Sequence, residues 1–152
     1  MSDLRKLYGT SSTLESEGVL TPDLGDGLRL KIARLKNPKF RKMYQRLTKP
    51  YERQMRNGTL SPKIEEEIIT KCLVDSVLLG WEKLVLDDKE QEYSKENALR
   101  ILSDPDLSDF RDLIVDLAND AELFREQHLE DAEKNSESGS NGTSNGEPTL
   151  NS

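Results

Sequence analysis

The stretch Pro62-Lys63-Ile64-Glu65-Glu66-Glu67-Ile68-Ile69-Thr70-Lys71-Cys72-Leu73-Val74-Asp75-Ser76-Val77-Leu78 decides the fold. Ile64, Ile68, Ile69, Cys72, Leu73, Val77 and Leu78 recur at helical spacing and form a wide apolar face. Ser61-Pro62 is a start signal, because proline is tolerated at the first helical position, where its missing N–H costs nothing. Glu65, Glu66 and Glu67 sit in the first turns, where carboxylates favour the positive end of the helix dipole. This helix is expected to be the centre of the core, closed by Gly80-Trp81.

Working toward the N-terminus, Asn37-Pro38 is an earlier start of the same kind. Phe40, Met43, Tyr44 and Leu47 follow at helical spacing. Pro50 must kink or break that helix, since it lacks an amide hydrogen and clashes with the preceding turn. Tyr51 and Met55 continue the stripe, and Gly58 of Asn57-Gly58 is a natural left-handed cap. Further upstream, Leu28-Arg29-Leu30-Lys31-Ile32-Ala33-Arg34 alternates apolar and basic residues, the period of a half-buried strand. Gly25-Asp26-Gly27 before it is a turn signal. A hairpin is expected over about residues 18–34, with Val19, Leu28, Leu30 and Ile32 packing inward. Pro22 fits only a strand end or an edge. Residues 1–16 read as a flexible N-terminus or a short helix through Leu4, Leu7 and Tyr8.

Working toward the C-terminus, Glu82–Tyr93 reads as a charged connector. Ser94 caps a helix from Lys95 to Leu102. Asp104-Pro105 opens a long amphipathic helix through Leu107, Phe110, Leu113, Ile114, Leu117, Ala121 and Phe124, fraying before Lys134. Residues 135–152 are Ser, Asn, Gly, Glu and Thr with almost nothing to bury, the composition of a disordered tail. The expected architecture is mainly α: one small helical domain over residues 17–134 with an N-terminal β-hairpin and a disordered C-terminal tail.

Composition limits the chemistry. The 152 residues are 34% hydrophobic and 5% aromatic, and the mean hydropathy is -0.75. Such a chain builds a modest core without a deep pocket. The formal net charge of -7 argues against a dedicated nucleic-acid binder. The charge is uneven, however: Arg29–Arg56 is strongly basic, and acids prevail from Glu65 onward. One histidine, His128, and one cysteine, Cys72, make neither a metal site nor a Cys–His nucleophile pair. Gly25-Asp26-Gly27 lacks the Gly-Lys-Ser/Thr ending of a phosphate loop. Asp87-Asp88 with Glu90 and Glu92 lacks the spacing of a calcium loop. Met1-Ser2-Asp3-Leu4 lacks the layout of a signal peptide, and no apolar run approaches a membrane span. The expectation is a cytosolic binding protein with no catalytic residues, no metal, no cofactor, and neither a nucleic-acid nor a membrane partner.

The candidate partner surface is the stripe Phe40, Met43, Tyr44, Leu47, Tyr51 and Met55. Methionine and aromatic side chains adapt to varied partners, and helix-in-groove recognition needs such a face. A small domain also needs every apolar face for its own core, so the stripe has two competing uses. The flank Lys39, Arg41, Lys42, Arg46, Lys49, Arg53 and Arg56 is either a solvated face or a means of steering an acidic partner.

The order of short motifs resembles a family. Leu24-Gly25-Asp26-Gly27-Leu28-Arg29-Leu30-Lys31-Ile32-Ala33-Arg34 precedes Asn37-Pro38-Lys39-Phe40. Arg56-Asn57-Gly58-Thr59-Leu60-Ser61-Pro62 and Val77-Leu78-Leu79-Gly80-Trp81-Glu82 follow. Tyr93-Ser94-Lys95-Glu96-Asn97-Ala98 and Leu117-Ala118-Asn119-Asp120-Ala121 come last. From about Leu4 to about Lys134 this succession resembles the tail assembly chaperones of long-tailed phages. The resemblance implies a helical protein that binds the phage tape measure protein and keeps it soluble until the tail tube forms around it. It implies self-association as a homo-oligomer, residence in the host cell cytoplasm during assembly, and absence from the mature virion. It also implies a minus-one frameshifted form whose extension contacts the tail tube protein. Glu133-Lys134-Asn135 is compatible with a slippery heptamer at that point. The competing class is a structural phage protein, a minor tail or head–tail connector component retained in the virion.

Overall fold

A computed structural model describes residues 3–9 and 11–141. Two short helices come first, α1 (Leu4–Tyr8) and α2 (Ser12–Glu17). Asp3 and Ser11 cap them, accepting from the amides of Arg5 and Leu14. The expected hairpin follows, as β1 (Val19–Leu20) and β2 (Arg29–Ile32), antiparallel with Val19 opposite Ile32. Val19, Leu30 and Ile32 are buried as the alternation requires, and Leu28 is half-buried. The loop is held from within. Asp23 Oδ1 accepts from the amides of Gly25 (2.8 Å) and Gly27 (3.0 Å). These bonds to the charged form hold the Asp23 carboxyl below its ordinary value. Gly18 has φ +91°, and a Cβ there would lie 3.1 Å from the Ile32 carbonyl oxygen, so glycine is required at the strand entrance.

Helix α3 (Pro38–Thr48) starts at Asn37, whose Oδ1 accepts from the amides of Lys39 (3.0 Å) and Phe40 (3.1 Å). Pro50 breaks it as expected: a 3-10 turn, Lys49–Tyr51, leads into α4 (Glu52–Asn57). Gly58 then caps α4 at φ +69°. Helix α5 (Pro62–Ser76) is the centre of the core, with Ile68, Cys72, Leu73 and Val74 buried. Burial pushes the Cys72 thiol up to about 11, with Asp75 adding to the effect.

The expected continuation of this helix to Gly80-Trp81 is corrected. It stops at Ser76, and Leu78–Glu82 is a strand, β3, which pairs antiparallel with β2 to give a sheet of order β1-β2-β3. Leu30 lies opposite Trp81, with a bulge between Lys31 and Ile32. The local apolar run suits a helix or a buried strand equally, and the open edge of β2 selects the strand. The expected connector Glu82–Tyr93 is a second hairpin, β4 (Leu84–Leu86) and β5 (Lys89–Gln91). Its turn is Asp87-Asp88, with φ +52° and +64°, the paired left-handed residues of a tight two-residue turn. Trp81 Nε1 donates to the Gln91 carbonyl (2.7 Å), and the Tyr93 hydroxyl donates to the Leu78 carbonyl (2.9 Å). The Trp81 and Tyr93 rings meet edge to face at 5.0 Å. These contacts fasten the second hairpin to β3. The architecture is mainly α, as expected, but carries more sheet than the N-terminal hairpin alone.

Helix α6 (Lys95–Leu102) begins at Ser94, which accepts from the Asn97 amide. The expected single long helix after Asp104-Pro105 is also corrected. It is a 3-10 turn (Pro105–Leu107), then α7 (Ser108–Ala118), then α8 (Ala121–Asn141). Asp120 Oδ1 accepts from the amides of Glu122 and Leu123, so it starts a new helix where periodicity shows no break. The turn buries Phe124, with the Arg34 guanidinium 5.5 Å from its ring centroid. Helix α8 continues to Asn141, so residues 135–141 are helical rather than the start of a coil tail. The remainder of the expected tail, residues 142–152, lies outside the described residues, as do Met1, Ser2 and Thr10.

Candidate functional site

Two apolar grooves flank α3, and they divide the six residues of the expected stripe. Phe40 is 5% exposed and belongs to the core. Met43, Tyr44, Leu47 and Tyr51 are half-buried and pack against that core. Met55 is 38% exposed and stands outside it. The inner edge of the stripe is core, and its outer edge lines open surface.

The larger groove, of 670 Å³, has an apolar lining of Leu35, Phe40, Tyr44, Ile69 and Val115. Its polar lining is Lys36, Arg41 and Gln45. Phe40 and Tyr44 stack with centroids 6.3 Å apart and planes at 10°, presenting a flat aromatic wall. The smaller groove, of 270 Å³, lies around Tyr51 with Leu47, Pro50, Ile64 and Ile68. Its polar lining is of mixed charge: Arg46, Lys71 and Glu67.

The walls of the larger groove are pinned to one another by hydrogen bonds. Asn37, 4% exposed, caps α3 and also donates through Nδ2 to the Arg34 and Ser76 carbonyls, both at 2.8 Å. That ties the start of α3 to the end of α5. The Leu35 amide donates to the Ala118 carbonyl at 3.0 Å, tying the same segment to the end of α7. Arg111 Nε donates to Thr70 Oγ1 at 3.1 Å, tying α7 to α5. The three helices are thus tied into one surface by bonds within the domain.

Sequence reasoning named Phe40 and Tyr44 but missed Leu35, Ile69 and Val115 as groove residues. Ile69 lay within the wide face of α5, a width that one packing partner cannot cover. Val115 carried no signal of its own. Among the described residues no group of three or more His, Cys, Asp and Glu could hold a metal ion, and no helix is long and apolar enough to cross a membrane.

A family match bears on these residues directly. Residues 35–135 match the YdaY prophage protein family, from the lip of the larger groove to the body of α8. The chain belongs to the YdaY prophage protein family. It is therefore phage-derived, and every residue of both grooves lies within the part that defines this YdaY family member. No curated protein and no solved structure matches the chain.

Proposed function

We propose that this YdaY family protein is a phage tail assembly chaperone that acts by binding, with α3 as its recognition element. The observation that carries the reading is the open apolar surface on both sides of α3, lined on one side by Phe40 and Tyr44 and on the other by Leu47 and Tyr51. A chaperone of a long helical protein needs a rigid apolar surface on a soluble body, because its client offers helical ridges. Phage origin and the order of the sequence motifs point to the tape measure protein as that client. In this reading the protein works in the host cytoplasm and leaves before the virion is complete.

The test is co-expression of the full chain, carrying an affinity tag, with the phage's tape measure protein. The expected result is a tape measure protein that is insoluble alone, becomes soluble on co-expression and co-purifies through the tag. Mass spectrometry of purified virions should lack the chain. A tape measure protein that stays insoluble, or a chain found stoichiometrically in virions, would replace this reading with a structural role in the particle.

A further inference from the structure

The charge around the two grooves separates them. The polar residues lining the larger groove include two cations, Lys36 and Arg41, and no carboxylate. Both cations are exposed, and neither has a carboxylate partner within salt-bridge distance among the described residues. Arg41 is held in place by donating through Nη1 to the Lys36 carbonyl at 2.9 Å, so the two positive groups share one lip. The smaller groove sets Glu67 against Arg46 and Lys71 and has no such polarity.

Resting on the chaperone reading, we propose that the larger groove recognises an amphipathic helix of the client that carries carboxylates beside its apolar ridge. The ridge lies on Tyr44, Ile69 and Val115, and the carboxylates face Lys36 and Arg41. The groove is an open cleft of 670 Å³. A ridge of residues at i, i+3, i+4 and i+7 would fill it from one helix face. Charge sets the polarity, because a client with Lys or Arg on that flank would meet like charge on approach. The chain's own residues 142–152 are a poor occupant, as they offer one large apolar residue, Leu150, and a helix-breaking Pro148.

The experiment uses two labelled synthetic helical peptides with the same apolar ridge, one flanked by Glu and the other by Lys. Binding to the full chain is followed by fluorescence anisotropy. The acidic peptide should bind about tenfold or more tighter, with the preference shrinking in salt. The double variant Lys36→Glu with Arg41→Glu should reverse the preference, and Arg41→Lys should retain it. Val115→Trp, which fills the groove without changing charge, should weaken both peptides, and circular dichroism melts check that each variant folds. Equal binding of the two peptides, or a charge reversal without effect, overturns the proposal. The same variants in the co-expression assay separate the two claims. A tape measure protein still solubilised by the double-Glu variant overturns the groove assignment and leaves the chaperone standing. Acidic-peptide binding without solubilisation supports the groove and overturns the chaperone. A chain that dimerises in sedimentation, with the double-Glu variant monomeric, overturns the client in favour of a second copy.

Discussion

Helices α3 and α5 lie side by side, yet their sequences treat the same physics in opposite ways. Helix α5 puts Ile68, Cys72, Leu73 and Val74 out of water and takes contacts from the sheet, α3 and α6. Helix α3 buries only Phe40 and Thr48 and leaves Tyr44, Leu47 and the following Tyr51 half covered. Its other face is a row of cations. Most of the apolar face of α5 is covered by the fold, with Ile64 and Ile69 at its margins, whereas α3 leaves an apolar edge open. A small acidic domain with a modest core would gain from burying that edge, so leaving it open has a stability cost.

Breaking the α5 side should have the largest effect. Leu73→Ala removes a side chain with no solvent exposure and should cost about 2–5 kcal/mol, read from urea melts. Next is the joint between the helices. Asn37→Ala removes a cap and leaves the Ser76 carbonyl without its side-chain donor, which should cost about 1–3 kcal/mol. On the α3 side the balance inverts. Tyr44→Ala should cost little more than about 1 kcal/mol in folding but about 2 kcal/mol or more in client affinity, as a central aromatic anchor does. Met55→Ala, at an exposed position away from both grooves, should stay within about 0.5 kcal/mol on both scales. If Met55 matters as much as Tyr44, the whole stripe binds and the division into grooves is wrong.

The smallest expected effect lies far from both helices. Asp23 is fully exposed, and the Gly25 and Gly27 amides hold its carboxyl below the ordinary value. A depressed folded value means the contribution is present above the unfolded value, near 3.8, and is lost as pH falls through the folded one. Asp23→Asn should therefore melt slightly earlier than the wild type at neutral pH, with the gap closing in strong acid.

Much of this arrangement was legible in the chain. The alternation from Leu28 to Ile32, the Asn37-Pro38 start, the break at Pro50 and the Gly58 cap are local signals, and local physics decides them. The errors share one cause. Val77-Leu78-Leu79-Gly80-Trp81 extends the apolar run of α5 without a change of period, and only pairing with β2 makes it a strand. The apolar period also runs unbroken from Leu113 through Leu117 to Phe124, and the cap at Asp120 is visible only once the turn is seen. The larger groove was half visible for the same reason. Phe40 and Tyr44 announce themselves by spacing on one helix, whereas Ile69 and Val115 reach the site through tertiary packing.

The claim that matters most is that the outer edge of α3 is where the client sits. Hydrogen exchange on the complex co-purified with the tape measure protein tests it most directly. Slowed exchange is expected over residues 36–45, next to Lys36, Arg41 and Tyr44, with the β4–β5 hairpin unchanged. Exchange that slows instead around Val85, which is 61% exposed beside a separate small apolar groove, with residues 36–45 unaffected, would contradict it.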